Sequence, residues 1–451
     1  MPVSVPELRR VLKLPAVAFI AIGFMIGGGV FVFTGIVFKI TGPALPAAYA
    51  LALIPVFISM LPLPMLGSAV PTSGAGYRYP SRMVSPGLAF VGIWVYAWAS
   101  FFGRIPLYAL GCAGYARTFL PSVSPTLLAL GLVTAFYVVN LLGVRLAAQL
   151  QGLLVIILIT ALIYYAGSGL ARLEPSHFTT AMPRGMSGLV LGTALLTFTY
   201  FGANGIIELG GEIVNPGKVI PRSFIIAFAT VLIIYVAVAA ATVGAIPPDA
   251  LKDTAEPLIQ VCRQVASPAG VVFFTLGGAI LALTTTLNAL LIVGTRSLLM
   301  MAHDRLLPAK LGLLHRRFAT PHVLLTIVWG LSVLGILSGF SLETLAACAA
   351  LGGMIIFLPV MAASVRLPAL YPDHFANCGF KLKGFWLWFC PLVGMLLMIF
   401  LGIVILIDLQ SVWKIGWFTA FIASGIVYYQ WRRRYLAGKG IRINELVGQR
   451  L

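Results

Sequence analysis

Long, almost uncharged apolar blocks separated by short polar connections run from residue 14 to residue 431 of the chain. Twelve blocks stand out, at about 14–38, 44–66, 87–116, 124–143, 148–169, 188–212, 223–246, 268–295, 322–340, 343–365, 386–408 and 413–431. Blocks of this length can cross a ~30 Å hydrocarbon layer as helices. They do not alternate apolar with polar residues, as the ~10-residue strands of a membrane barrel do. The pattern predicts an all-α integral membrane protein with twelve transmembrane helices. Two blocks carry an interruption. The first holds Gly27-Gly28-Gly29 at mid-span, and each glycine gives up about 1 kcal/mol of helix propensity. Spaced small residues commonly serve close helix packing, whereas contiguous glycines predict an unwound stretch. The sixth block reads Phe198-Thr199-Tyr200-Phe201-Gly202-Ala203-Asn204-Gly205, again with glycines and a polar residue in mid-membrane. The two breaks recur at an interval of five helices. The chain thus divides into two five-helix units of opposite topology, 14–169 and 188–365, each opening with a broken helix. Helices 11 and 12 (386–431) are an appendage, flanked by an N-terminal segment 1–13 and a tail 432–451. Paired broken helices in an inverted repeat point to a transporter whose site lies at the membrane midplane.

Composition agrees. Of the 451 residues 60% are hydrophobic and 9% charged, against about 25% charged in a soluble domain. A soluble fold and a disordered chain are excluded. The net charge of +18 changes meaning once it is located. With the N-terminus in the cytoplasm, most Lys and Arg fall on inner segments, such as 296–317 and 432–434, as the positive-inside rule requires. Both termini are therefore expected in the cytoplasm, and the protein in the cytoplasmic membrane. The charge reads as a topology signal facing anionic lipid, not as a nucleic-acid footprint. The first apolar run lacks a cleavage pattern and is too long for a signal peptide. Cys112, Cys348 and Cys390 fall inside apolar runs, and Cys262 and Cys378 in loops on opposite sides. No CxxC occurs, so neither a metal site nor a redox pair is indicated.

Four elements in order give the chain a family likeness. Ile26-Gly27-Gly28-Gly29-Val30-Phe31 resembles the helix 1 element of the amino acid–polyamine–organocation transporter superfamily. Pro71-Thr72-Ser73-Gly74-Ala75-Gly76-Tyr77 with Gly87 and Gly92-Ile93-Trp94 resembles its stretch between helices 2 and 3. Gly211-Glu212-Ile213-Val214-Asn215-Pro216 with Ile220-Pro221-Arg222 resembles its exit from helix 6. Thr286-Leu287-Asn288, Arg296 and Asp304-Arg305-Leu306-Leu307-Pro308 resemble helix 8 and its cytoplasmic end. The chain departs from the pattern at Gly211, at Ala75 and in lacking an acidic pair at the end of helix 2. The resemblance implies the leucine-transporter fold, with helices 1, 2, 6 and 7 rocking against 3, 4, 8 and 9.

An unwound backbone exposes N–H and C=O groups that are costly in lipid, and a zwitterionic amino acid satisfies both kinds. Its carboxylate is expected on the N–H groups of Gly27, Gly28 and Gly29, helped by the positive end of the following half-helix. Its ammonium is expected on carbonyls near Gly23, Ile26 and the Phe198 to Phe201 stretch, with Tyr200, Gly202 and Asn204 completing the break. Glycine leaves room for the ligand there. The resemblance implies that Phe198 is an aromatic gate over the substrate. Arg104 is a charge in mid-span, where a charge costs at least ~2.5–3.5 kcal/mol. Either it holds a substrate anion with its bidentate fork, or it pairs with Glu208. Glu208 and Glu212 lie four apart on one face of helix 6. Glu212 is expected to lock the inner end, and Glu208 either binds a proton, since burial raises a carboxyl pKa, or neutralises Arg104.

Coupling is open between sodium, a proton and exchange without an ion. The helix 5 Lys of proton-coupled relatives is absent, since 148–169 holds no Lys. Ala282, Thr285 and Thr286, with Gly23 and Ile26 carbonyls, match in position the sodium ligands of transporters with this fold, and a hard cation wants such oxygens. The competing reading is that Thr284, Thr285 and Thr286 bond to their own helix carbonyls. No hydrolase, P-loop or dinucleotide motif appears and no cofactor is implied. The expected function is secondary active transport of an amino acid. The alternatives are an acidic amino acid or organic anion carrier using Arg104, an exchanger and, remotely, a non-transporting nutrient receptor, disfavoured by the short tail and inner loops.

Overall fold

The computed structural model describes residues 10 and 12–443, except 73, 118, 143–144, 180, 252–253, 255, 316–319 and 410–411, together with residue 447. The first block folds as α1 (Leu14–Ile26) and α2 (Gly29–Thr41), and the second as α3 (Leu45–Met60) and α4 (Pro62–Ala69). After a loop helix α5 (Ala75–Met83), the third block is α6 (Pro86–Trp98), a π-helical stretch Ala99–Arg104 and α7 (Ile105–Ala116). The fourth and fifth are α8 (Pro125–Leu142) and α9 (Arg145–Leu170). The sixth is α10 (Gly185–Tyr200), a 3-10 turn Phe201–Asn204 and the short α11 (Gly205–Glu208), followed by α12 (Pro216–Gly244). A second loop helix α13 (Pro257–Val265) precedes the eighth block, made of α14 (Pro268–Phe273), a π-helical stretch Phe274–Ile280 and α15 (Leu281–His303). The remainder is α16 (His322–Leu337), α17 (Leu342–Leu370), the short α18 (Pro372–Asn377), α19 (Phe385–Asp408) and α20 (Val412–Ala437).

Every apolar block of the sequence is helical. Among the described residues seven helical stretches are long and apolar enough to cross a membrane, the first, Leu14–Ala69, covering two blocks. A parallel bridge joins Leu12 to Ile213. There the Val214 N–H donates to the Leu12 carbonyl at 2.9 Å. The spans are apolar on all faces because each has two apolar surroundings, the bundle interior and the hydrocarbon. Ile54, Ile163, Ile233, Leu396 and Ile407 are exposed on the outside, which suits a lipid-facing belt and not a surface in water.

Packing separates two groups. α1, α2, α3, α10 and α12 pack on one another, and α7, α8, α15 and α16 form a second set against them. Two loop helices were not expected from the sequence. α13 buries Leu258, Ile259, Val261 and Cys262, and α5 buries Tyr77 and Tyr79. Both are amphipathic and too short to span.

The π-helical stretches follow from local chemistry. Pro106 has no N–H to give the Phe102 carbonyl four residues back, and the Ile105 N–H donates to Ser100, five residues back. A Cβ on Gly335 would fall on the Phe102 carbonyl, so a glycine of α16 backs onto the freed group. In the eighth block the Leu281 N–H donates to Leu276, also five residues back.

Candidate functional site

The first break lies where α1 meets α2. The Gly27 N–H still donates to the Gly23 carbonyl at 3.1 Å, but a ψ of −145° at Gly27 turns the chain out of the helix. The Gly28 N–H then donates to Thr286 Oγ1 of α15 at 2.9 Å, and α2 begins at Gly29. Side chains of three other helices fill the space the glycines leave. A Cβ on Gly27 would fall on the Thr286 hydroxyl. One on Gly28 would lie 2.6 Å from Leu283 Cδ2 and 2.8 Å from Tyr108 Cδ1, and one on Gly29 3.2 Å from Thr199 Cγ2. The glycines thus let α15, α7 and α10 close onto the break, rather than leaving room for a ligand as expected from the sequence.

The second break is the 3-10 turn Phe201–Asn204. It packs on α1. A Cβ on Gly202 would fall on the Phe24 carbonyl, and one on Gly205 would lie 2.7 Å from Phe24 Cδ2. The backbone of the second break therefore touches the last turn of α1, just ahead of the first break. Tyr235 of α12 ties them, its hydroxyl donating to the Met25 carbonyl at 2.6 Å and lying 3.3 Å from the Thr199 carbonyl. The sequence reading did not single out Tyr235. Its signal was available, because a tyrosine buried in mid-span needs a partner for its hydroxyl.

Arg104 closes the π-helical stretch Ala99–Arg104. Its Cζ lies 4.5 Å from the Phe198 ring centroid and 5.6 Å from that of Tyr108, within cation–π range. Phe198 is in turn stacked on Phe33 of α2 at 5.2 Å and edge-on to Phe201 at 6.2 Å. Arg104 Nε is buried without a hydrogen-bond partner. Glu208 reaches α5, where it accepts the Gly76 N–H at 2.8 Å. Both residues still wall one small cavity of about 40 Å³, with Phe24, Tyr96, Gly202, Asn204, Gly205, Thr286 and Leu290.

Not every expected residue reaches this place. Tyr200 turns away. Its hydroxyl donates to the Tyr49 carbonyl of α3 at 2.9 Å, and its ring stacks on Phe228 and meets Tyr235. It belongs to the packing of α10 on α3 and α12. The side chain of Glu212 lies outside the described residues.

The expected sodium ligands are engaged otherwise. Thr286 Oγ1 donates to the Ala282 carbonyl at 2.8 Å while accepting the Gly28 N–H. Thr285 Oγ1 donates to Leu281 at 2.8 Å and Thr284 Oγ1 to Ile280 at 2.8 Å. The Gly23 carbonyl holds the Gly27 N–H. These are oxygens of the right type for a hard cation; one lone pair of Thr286 is taken by the Gly28 amide proton, and the set is neutral.

Behind Glu208, on the cavity wall, packs α5. Arg82 and Asp304 form an ion pair at 2.9 Å with both side chains almost fully buried, and the Tyr77 hydroxyl donates to Asp304 Oδ2 at 2.7 Å. With Gly76 on Glu208, α5 is pinned to the end of α15 and to α11 at once. Two of the motifs that carried the family likeness, around Tyr77 and around Asp304, are thus two halves of one contact.

The family model of the amino acid permeases matches residues 16–439. The chain is 25% identical to the branched-chain amino acid permease BcaP of Bacillus subtilis, over 94% of this chain and 93% of that protein. It is 27% identical to the methylthioribose transporter of the same organism, over 81% and 83%. It is also 26% identical to the vacuolar cationic amino acid transporter 2 of Arabidopsis thaliana, over 82% and 61%. These relatives are transporters and not enzymes. A multi-pass helical membrane protein matched by the family model over nearly its whole length, the chain belongs to the amino acid permease family.

Proposed function

We propose that the protein carries an amino acid across the cytoplasmic membrane by alternating access, binding it where the two broken helices meet. The observation that carries this reading is the contact of the second break with the last turn of α1, at Gly202 and Phe24, beside a cavity walled by Arg104, Asn204, Glu208 and Thr286. The first turn of α2 offers N–H groups that the helix does not use itself, at its positive end. They suit the substrate carboxylate. The carbonyl end of α1 and the Phe198–Phe201 stretch suit the ammonium. Gly27 and Gly28 hold the geometry of the break, since their N–H groups are taken by Gly23 and Thr286. A cavity of about 40 Å³ has room for roughly one water. Admitting an amino acid therefore moves the Arg104 and Phe198 side chains, which makes that pair the gate.

The inverted repeat draws support from a second coincidence. The breaks fall in blocks 1 and 6 and the π-helical stretches in blocks 3 and 8, the same offset of five. In this reading all twelve blocks span the membrane, units 14–169 and 188–365 are the repeats, and both termini are cytoplasmic. The α5 contact with Asp304 and Glu208 is then the inner latch. No step is routed through sodium. Proton coupling and exchange are both compatible with this arrangement.

The unpartnered Nε of Arg104 favours one narrower reading, a substrate with an acidic group that takes the guanidinium. A polyamine gains nothing from Arg104. Thermal shift of the detergent-purified protein against the twenty amino acids, polyamines and small dicarboxylates, with and without sodium, tests these readings together. A ligand at a hundredfold its Kd adds about 2.7 kcal/mol of apparent stability. Stabilisation by neutral amino acids alone supports the zwitterion site. Stabilisation mainly by aspartate, glutamate or dicarboxylates makes Arg104 a substrate ligand. A sodium requirement means that the Gly28–Thr286 bond yields to an ion. No shift with any of these ligands counts against the proposal.

A further inference from the structure

The turn that presents Arg104 to the polar cavity has a second face. Ala99, Phe102 and Gly103 of the same π-helical stretch floor a much larger cleft of about 470 Å³, bounded by α16, α17 and α20. The cleft starts among exposed apolar side chains, Leu334 at 57% and Trp417 at 52%, and ends on buried ones, Leu351 at 3%. No charged side chain lines it. Ser338 Oγ donates to Gly335 at 2.7 Å, so one of its two hydroxyls is spent within the protein. The other, of Thr344, faces Ser341 at 3.1 Å.

We propose that this cleft holds one acyl chain of a bilayer lipid, which supports the Ala99–Arg104 turn from outside. Three observations lead there. The mouth is continuous with the exposed apolar belt that the family places against lipid, so hydrocarbon reaches it without crossing water. The volume lies within the range of ligand pockets, roughly 300–1,000 Å³. The lining offers mainly dispersion contacts, and an apolar space left unfilled forfeits those contacts outright. A π-helical stretch also lacks the regular i→i−4 ladder, so packing on both faces matters more to its geometry than in a plain helix. The chain lies behind the turn and touches neither break, so it is not a second substrate site.

Photo-crosslinking decides the matter. The full chain is reconstituted in vesicles of phosphatidylcholine with a minor fraction of phosphatidylcholine bearing a diazirine midway along one chain. After irradiation the adducts are mapped by peptide mass spectrometry. The proposal expects adducts on the inner α17 residues Cys348 and Leu351 as well as on belt residues such as Ile407. Adducts on the belt alone, with none on these inner residues, overturn it. The wild-type result stands without any variant. Cys348→Leu narrows the cleft and should lower the ratio of Leu351 to Ile407 adducts several-fold. An unchanged ratio in that variant also counts against the proposal.

Discussion

Thr286 is the residue on which the first break depends most. Its hydroxyl gives the Gly28 N–H a partner inside the bundle. Thr286→Val keeps the shape and removes the acceptor, leaving a buried N–H unpaired at a cost of about 1–3 kcal/mol. We expect a lowered melting temperature and loss of uptake; wild-type values for both would mean the bond carries nothing. Gly28→Leu should abolish uptake, because its side chain meets Leu283 and Tyr108, and normal uptake by that variant would remove Gly28 from the proposed site. Arg104→Ala should change which ligand stabilises the protein. If it lowers stability while leaving the ligand ranking untouched, Arg104 is structural. The glycine run was legible because contiguous glycines weaken a helix; Thr286 was marked only as a possible cation ligand, and its bond to Gly28 is a tertiary contact. The direction of the Tyr200 side chain was not legible in the sequence. A span has two polar-capable directions, and only packing shows that this ring faces Tyr49 and Phe228.

Loop helices account for most of what the sequence pattern missed among the elements. α5 and α13 are short, and periodicity over about nine residues is a weak signal beside spans twice that length. Both carry charge that the fold then uses. α5 brings Arg82 to Asp304 in a buried pair. Asp304→Ala leaves Arg82 buried without its partner, a change worth about 3–5 kcal/mol. In the proposed mechanism it also unlatches the inner end. A cysteine at Asn204 should then react faster with a membrane-impermeant maleimide applied from the α5 side, and an unchanged rate would dismiss the latch. At the N-terminal cap of α13, the Glu256 carboxyl rests against Gly114. Burial raises its pKa above the usual carboxylate range, against the opposing pull of Arg117 and Lys39. A carboxyl with a raised folded-state pKa loses stability as pH climbs from its unfolded value through its folded one. Glu256→Gln should therefore melt higher than wild type at neutral pH, and the two should converge in acid. A difference that persists in acid would point to packing instead of ionisation.

Across the whole molecule, the apolar blocks, the positions of the two breaks and the membrane class were all readable from the chain, because each rests on composition over twenty or more residues. The π-helical stretches in blocks 3 and 8 were not. The one in block 3 forms at Pro106, whose missing N–H frees the Phe102 carbonyl that Gly335 backs onto, with only the proline as a local trace in the sequence. It matters because it carries Arg104, and the two stretches mirror the breaks at the same interval. The central claim is that a substrate sits at the junction of the two breaks, next to Asn204 and under Arg104 and Phe198. The most direct test uses Asn204→Cys in a background without reactive native cysteines. Its alkylation is timed with and without a saturating amount of an amino acid that stabilises the protein. Bound substrate should slow the reaction at least several-fold. An alkylation rate unaffected by a ligand that still raises the melting temperature would contradict the account.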